Sequence, residues 1–262
     1  MINELVLSSK LIWALLIPFI GTSLGSACVF LLKKQLNDKV LKVLLGFASG
    51  VMIAASFFSL LLPAIESVNG LKKWLVPSIG FSIGVTILVL MDRLIPHIHI
   101  DNSEEGIKNN KLKSTFKMLF AIVIHNIPEG LAVGLVIASA INGSINEQAA
   151  LILSIGIAIQ NFPEGAVVSM PLKETGISKL KAFLYGVFSG IVEPIAAFIA
   201  LLLTRQITVL LPYALSFAAG AMIYVVSDEL IPEANDGKKS SLPAIGVSIG
   251  FIIMMILDIA LS

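Results

Sequence analysis

The chain has 262 residues, 56% of them hydrophobic and 13% charged, with a formal net charge of +1. A soluble domain carries roughly twice that charged share, so a mean hydropathy of +0.95 assigns the chain to the lipid bilayer as an all-α integral membrane protein. The near-neutral balance, with no basic block, excludes a nucleic-acid partner, and one cysteine, Cys28, excludes an internal disulfide.

Apolar stretches of about twenty residues, enough to cross a bilayer, fall at roughly 11–32, 43–65, 74–95, 118–140, 147–170, 182–204, 208–231 and 243–261. They predict eight transmembrane helices in one domain covering residues 1–262. Helices one to three occupy about 11–95, a loop 96–117, helices four and five 118–170, and helices six to eight 182–261. The first stretch is longer than the core of a cleaved signal, so it reads as a retained span. Lys33, Lys34, Lys39, Lys42, Arg93, Lys108, Lys111, Lys113, Lys117, Lys173, Lys179, Lys181, Lys238 and Lys239 follow odd-numbered helices, whereas Lys10, Lys72, Lys73 and Arg205 lie on the other side. By the positive-inside rule this predicts a multi-pass cell-membrane protein with both termini outside.

The long cytoplasmic loop holds His97, His99, Asp101, Glu104 and Glu105. Weak metal collection and a plain solvated loop explain it equally well. An internal repeat links the two ends of the chain. Pro77, Gly80, Gly84 and Asp92 in helix three return as Pro243, Gly246, Gly250 and Asp258 in helix eight, and Phe47-Ala48-Ser49-Gly50-Val51-Met52-Ile53 in helix two returns as Phe217-Ala218-Ala219-Gly220-Ala221-Met222-Ile223 in helix seven. Copies five helix positions apart run in opposite senses, which predicts an inverted 3+2+3 repeat with helices four and five between the copies.

Those two middle helices carry nearly the same word: His125-Asn126-Ile127-Pro128-Glu129-Gly130 and Gln160-Asn161-Phe162-Pro163-Glu164-Gly165. At about 100° per residue, each glutamate falls between its two polar predecessors on one helix face. Facing helices therefore present two central glutamates, with His125 and Gln160 on one side and Asn126 and Asn161 on the other. Each proline also frees the carbonyl four residues back, at Ile124 and Ile159. Helix six adds Glu193-Pro194. Counted from the lysines flanking each helix, Glu129, Glu164 and Glu193 lie at one level, roughly 14 to 18 Å deep. No Lys or Arg occurs in 118–172 or 182–204. Buried carboxylates without basic partners are costly, so mobile cations are their natural counter-charge. Imidazole, carboxylate and amide oxygen suit Zn, Fe, Mn, Co or Cd better than Mg or Ca.

The doubled word and the Val192-Glu193-Pro194 of helix six resemble the ZIP (Zrt-, Irt-like) family of divalent-metal transporters, most closely its bacterial and archaeal branch, over nearly the whole chain. The resemblance implies a binuclear centre. One site would comprise His125, Glu129, Gln160 and Glu164, with Met52 as a thioether ligand; the second would use Asn126, Asn161 and Glu193 and share the glutamates. It also implies uptake toward the cytoplasm, by a carrier in which one helix bundle slides against another. Gln160 and Asn161 depart from the His and Asp of many relatives, and Ser227-Asp228-Glu229 from their His-Glu pair. Asp92, His97, Asp228 and Glu229 are expected near the cytoplasmic exit, and Glu66 and Glu147 at the opposite mouth. No catalytic residue or cofactor is expected; metal is the substrate, the bilayer is the surrounding partner, and the sequence leaves a homodimer open. The rivals are an intramembrane metalloenzyme, which the missing H-E-x-x-H disfavours, and a proton- or sodium-coupled carrier of an organic substrate, which leaves His125 unexplained.

Overall fold

The computed structural model describes residues 8–31, 37–94, 97–98, 104–105, 114–174, 176–205, 208–237 and 239–261. Among them are eight helices long and apolar enough to cross a membrane: α1 (Ser9–Leu31), α2 (Asp38–Glu66), α3 (Lys72–Leu94), α4 (Ser114–Ile141), α5 (Glu147–Glu174), α6 (Lys179–Leu203), α7 (Leu211–Asn235) and α8 (Leu242–Leu261). The protein is thus a multi-pass, all-α membrane protein. Several helices overrun their apolar cores by a turn, because polar first and last turns lie beyond the hydrocarbon. Ser8, Asn37 and Ser178 cap α1, α2 and α6 by accepting from the amides of Leu11, Lys39 and Lys181. In the 96–117 loop, His97–Ile98 pairs antiparallel with Glu104–Glu105, and His97 stands opposite Glu105. His99 and Asp101 lie outside the described residues.

Prolines act differently along the chain. Pro128 and Pro163 are absorbed within continuous α4 and α5. In α6 the helix breaks at Ile191, just after Gly190, whose carbonyl lacks an amide partner because residue 194 is proline. In α2 and α7 the backbone widens into π-turns at Ser56–Leu61 and Val226–Leu230, directly ahead of short α-turns that carry Pro63 and Pro232. A π-turn takes up the extra residue that a proline's missing amide leaves unpaired, and it rotates the side chains that follow.

Burial sorts the helices into two shells. Inside the molecule lie 72% of the most apolar window of α4, 67% of α5 and 61% each of α2 and α7, against 44% or less for α1, α3, α6 and α8. Each outer helix presents apolar side chains to lipid, such as Ile249, Ile252 and Ile256 on α8 and Ile79, Ile83 and Ile87 on α3. Each outer helix also packs along one inner helix: α1 on α5, α6 on α4, α3 on α7 and α8 on α2. Glycine makes these contacts possible, since a Cβ at Gly25, Gly134, Gly84 or Gly50 would overlap the carbonyl oxygen of Phe162, Ala197, Phe217 or Val247. The contacts recur at repeat-related positions. Gly50 against Val247 matches Gly220 against Phe81, and Gly250 against Phe47 matches Gly84 against Phe217. Helices α1, α4, α5 and α6 form one group and α2, α3, α7 and α8 another; they meet where α5 crosses α2 and α4 crosses α7.

Candidate metal centre

The two words of α4 and α5 are brought together in the buried interior. Glu129 is 1% exposed, and Gln160 and Asn161 are fully buried. Gln160 Nε2 donates to Glu129 Oε1 at 2.6 Å, so the amide of one word pairs with the carboxylate of the other. Glu164 is partly buried and lies within electrostatic reach of Glu129 and His125.

Glu193 closes the cluster from α6. Its Oε2 accepts from Asn161 Nδ2 at 2.8 Å, and its Oε1 accepts from Asn126 Nδ2 at 3.3 Å and from Thr22 Oγ1 of α1 at 2.7 Å. Asn126 Nδ2 also donates to the Ser189 carbonyl at 3.0 Å. These bonds fix both asparagines, because an amide oxygen turned toward a carboxylate would set acceptor against acceptor. The glycines that end the two words serve this assembly. A Cβ at Gly130 would strike the Glu193 carbonyl, and one at Gly165 the Thr22 carbonyl.

His125 has a partner that neither word supplies. Its Nδ1 lies 2.7 Å from Glu229 Oε2, across the boundary between the two helix groups. Glu229 belongs to the π-turn of α7 and is 8% exposed, a buried partner rather than a solvated acid. Asp92, 4% exposed on α3, lies within electrostatic reach of His125 and Tyr224. Asp228 is exposed and accepts from Tyr224 at 3.1 Å. Met52 is fully buried in the apolar core of α2.

On another face, Ser59, Glu66, Asn146 and Asp258 line a cavity of about 280 Å³ together with apolar side chains of α2, α4 and α5. The hydroxyl of Ser59 donates to Asp258. Glu147 accepts from Ser8 at 2.8 Å, tying the start of α5 to that of α1. Sequence reasoning missed Thr22 and Ser59 as polar participants. Thr22 carried no motif, and Ser59 faces Asp258 from within a π-turn that no 3.6-residue period announces. Asp258 was marked only as the repeat partner of Asp92.

The chemistry of this interior is one of unmet acceptors. Glu129 Oε2, Gln160 Oε1, Asn126 Oδ1 and Asn161 Oδ1 are buried and receive no hydrogen bond. Buried oxygens without donors are costly to fold. A cation is one kind of partner that such oxygens accept. Among the described residues, no three His, Cys, Asp or Glu side chains gather closely enough to hold a metal by themselves.

The family described as "ZIP Zinc transporter" matches this chain over residues 8–115 and 108–258. The Zinc transporter ZIP11 of Xenopus tropicalis is 36% identical over 98% of this chain and 97% of its own length. Zinc transporter GufA of Myxococcus xanthus is 34% identical over 92% of this chain and 96% of its own length. For Zinc transporter ZupT of Clostridium perfringens the identity is 35%, over 92% of both chains.

Proposed function

The chain belongs to the ZIP zinc transporter family, and from that premise we propose that it carries Zn²⁺, and with it Fe²⁺, Mn²⁺, Co²⁺ or Cd²⁺, across the cell membrane toward the cytoplasm. Family and relatives alike are transporters rather than enzymes. The observation that carries the reading is the set of donor-free oxygens on Glu129, Gln160, Asn126 and Asn161. They sit on the two words, next to Glu164 and Glu193.

In this reading the whole chain is one transport domain with both termini outside, and its repeat is inverted. The matched glycine contacts of α2 with α8 and α3 with α7 support the repeat. Metal gathers in the cavity lined by Ser59, Glu66 and Asp258. It then passes to the centre, where Glu129 and Glu164 supply charge and the amides of Gln160, Asn126 and Asn161 replace water. His125 ligates through Nε2 while its Nδ1–H is held by Glu229, the arrangement that makes imidazole a better ligand. Met52 offers a soft thioether, and two ions share the glutamates when both sites fill. Asp92, His97 and Asp228 take the ion onward. Sliding of the α1, α4, α5 and α6 group against the other opens the centre to each side in turn.

Purified protein in vesicles loaded with a metal-sensing dye tests this. Zn²⁺ or Cd²⁺ should enter wild-type vesicles, while Glu129→Ala and Glu164→Ala vesicles should match protein-free ones. Normal flux through both variants contradicts the mechanism.

A further inference from the structure

We infer that Thr22 is a positioning residue of the metal centre: its hydroxyl fixes Glu193 as the carboxylate that turns the amide oxygens of Asn126 and Asn161 toward the ion. The inference rests on the transport reading above and adds to it a residue on α1, which neither word contains.

The two buried glutamates differ in what binds them. Glu129 accepts from Gln160 on one oxygen and keeps the other free of donors. Glu193 accepts on both, from three side chains on three other helices. Three of its roughly four lone-pair sites are thus taken by hydrogen bonds, two of which hold the asparagines of the two words. Asn126 gives Nδ2 to Glu193 and to the Ser189 carbonyl, and Asn161 gives Nδ2 to Glu193, so each has its oxygen left over. The hydroxyl of Thr22 has one proton and two acceptors in view: Glu193 Oε1 at 2.7 Å and the Pro18 carbonyl at 3.4 Å. The shorter bond wins. Without it, Oε1 would keep only the longer contact from Asn126, and the carboxylate would lose the shortest of its three restraints.

The backbone is built to bring Thr22 there. Gly165, the last residue of the second word, admits the Thr22 carbonyl, and Gly190 lies against the Thr22 Cβ and methyl. Larger residues at either glycine would push α1 outward and lift the hydroxyl off Glu193. Because Thr22 is 1% exposed, water does not replace it.

Two variants separate the hydroxyl from the packing. Thr22→Val keeps the branched shape against Gly190 and removes the hydroxyl; Thr22→Ser keeps the hydroxyl and removes the methyl. Each is purified, checked for monodispersity and melting temperature, and assayed for Cd²⁺ affinity by calorimetry and for saturation of Zn²⁺ flux in vesicles. Loss of this buried bond should raise the Kd and KM of Thr22→Val about tenfold, with maximal flux within about twofold of wild type. Thr22→Ser should match wild type in both. Wild-type constants in Thr22→Val, equal losses in both variants, or a loss confined to Thr22→Ser would each overturn the inference. If wild type binds Cd²⁺ but moves no metal, the transport reading falls and the Kd values alone decide the role of Thr22. If wild type neither binds nor moves metal, both fall.

Discussion

His125 Nδ1 and Glu229 Oε2 stand 2.7 Å apart, joining the helix that carries the first word to the π-turn of α7. The contact crosses from one helix group to the other, so the imidazole of the first word is oriented by a carboxylate on the opposing group. On the transport reading proposed above, a sliding motion between the groups would change the orientation of His125 and so couple binding to movement at this pair.

Replacing the carboxylate tests that coupling. Glu229→Gln keeps the size of the side chain and removes the charge that holds the imidazole. The expected result is a loss of metal affinity of about 10- to 100-fold, read by calorimetry with Cd²⁺. Affinity equal to wild type would show that His125 ligates without Glu229, or does not ligate.

The neutral residue at 160 makes a second test. Gln160→His would put an imidazole where the amide oxygen stands, beside Glu129. Nitrogen ligands favour Zn²⁺ over Mn²⁺, so competition flux assays should show the Zn²⁺ over Mn²⁺ preference rising by about tenfold. An unchanged preference would place residue 160 outside the ligand shell.

Packing gives a prediction independent of transport. Gly84 on α3 lies where a Cβ would overlap the Phe217 carbonyl of α7. Gly84→Val should cost about 1 to 3 kcal/mol or more by forcing those helices apart, seen as a lower melting temperature in detergent. Gly143, with φ of 74° and open space around it, shows nothing within contact of an added Cβ. A substitution there strains one turn and leaves helix packing alone, so Gly143→Asn, which tolerates positive φ, should melt near wild type.

If metal loads through the cavity lined by Ser59, Glu66 and Asp258, as proposed above, removing a carboxylate there should slow loading without abolishing it. Asp258→Asn takes the charge from the wall that Ser59 and Glu66 share. Flux at low Zn²⁺ should fall by several-fold, roughly as one lost surface charge allows, with maximal flux retained. Equal loss at low and saturating metal would assign Asp258 a structural role instead.

What the sequence disclosed followed physical regularity. Spans were legible because lipid demands about twenty apolar residues, and the grouping of Glu129, Glu164 and Glu193 because they lacked basic neighbours in the sequence. The facing of Asn126 with Asn161 emerged in the structure as a shared bond to Glu193. For His125 the structure adds a partner outside both words, Glu229, which lies in the π-turn of α7. A straight-helix count puts Glu229 elsewhere. Thr22 was hidden for another reason. It is one polar residue in an apolar span, and only the close approach permitted by Gly165 and Gly190 brings it to Glu193. Local sequence reports periodicity; it does not report which distant glycine lets two helices touch.

The most direct test of the central claim is anomalous X-ray diffraction from crystals soaked in Zn²⁺. A peak should appear between α4 and α5, with Glu129 Oε2 about 2.0 to 2.2 Å away and Gln160 Oε1 or the oxygens of Asn126 and Asn161 completing the shell. Zinc bound elsewhere, with Glu129 Oε2 still uncoordinated, would contradict the account.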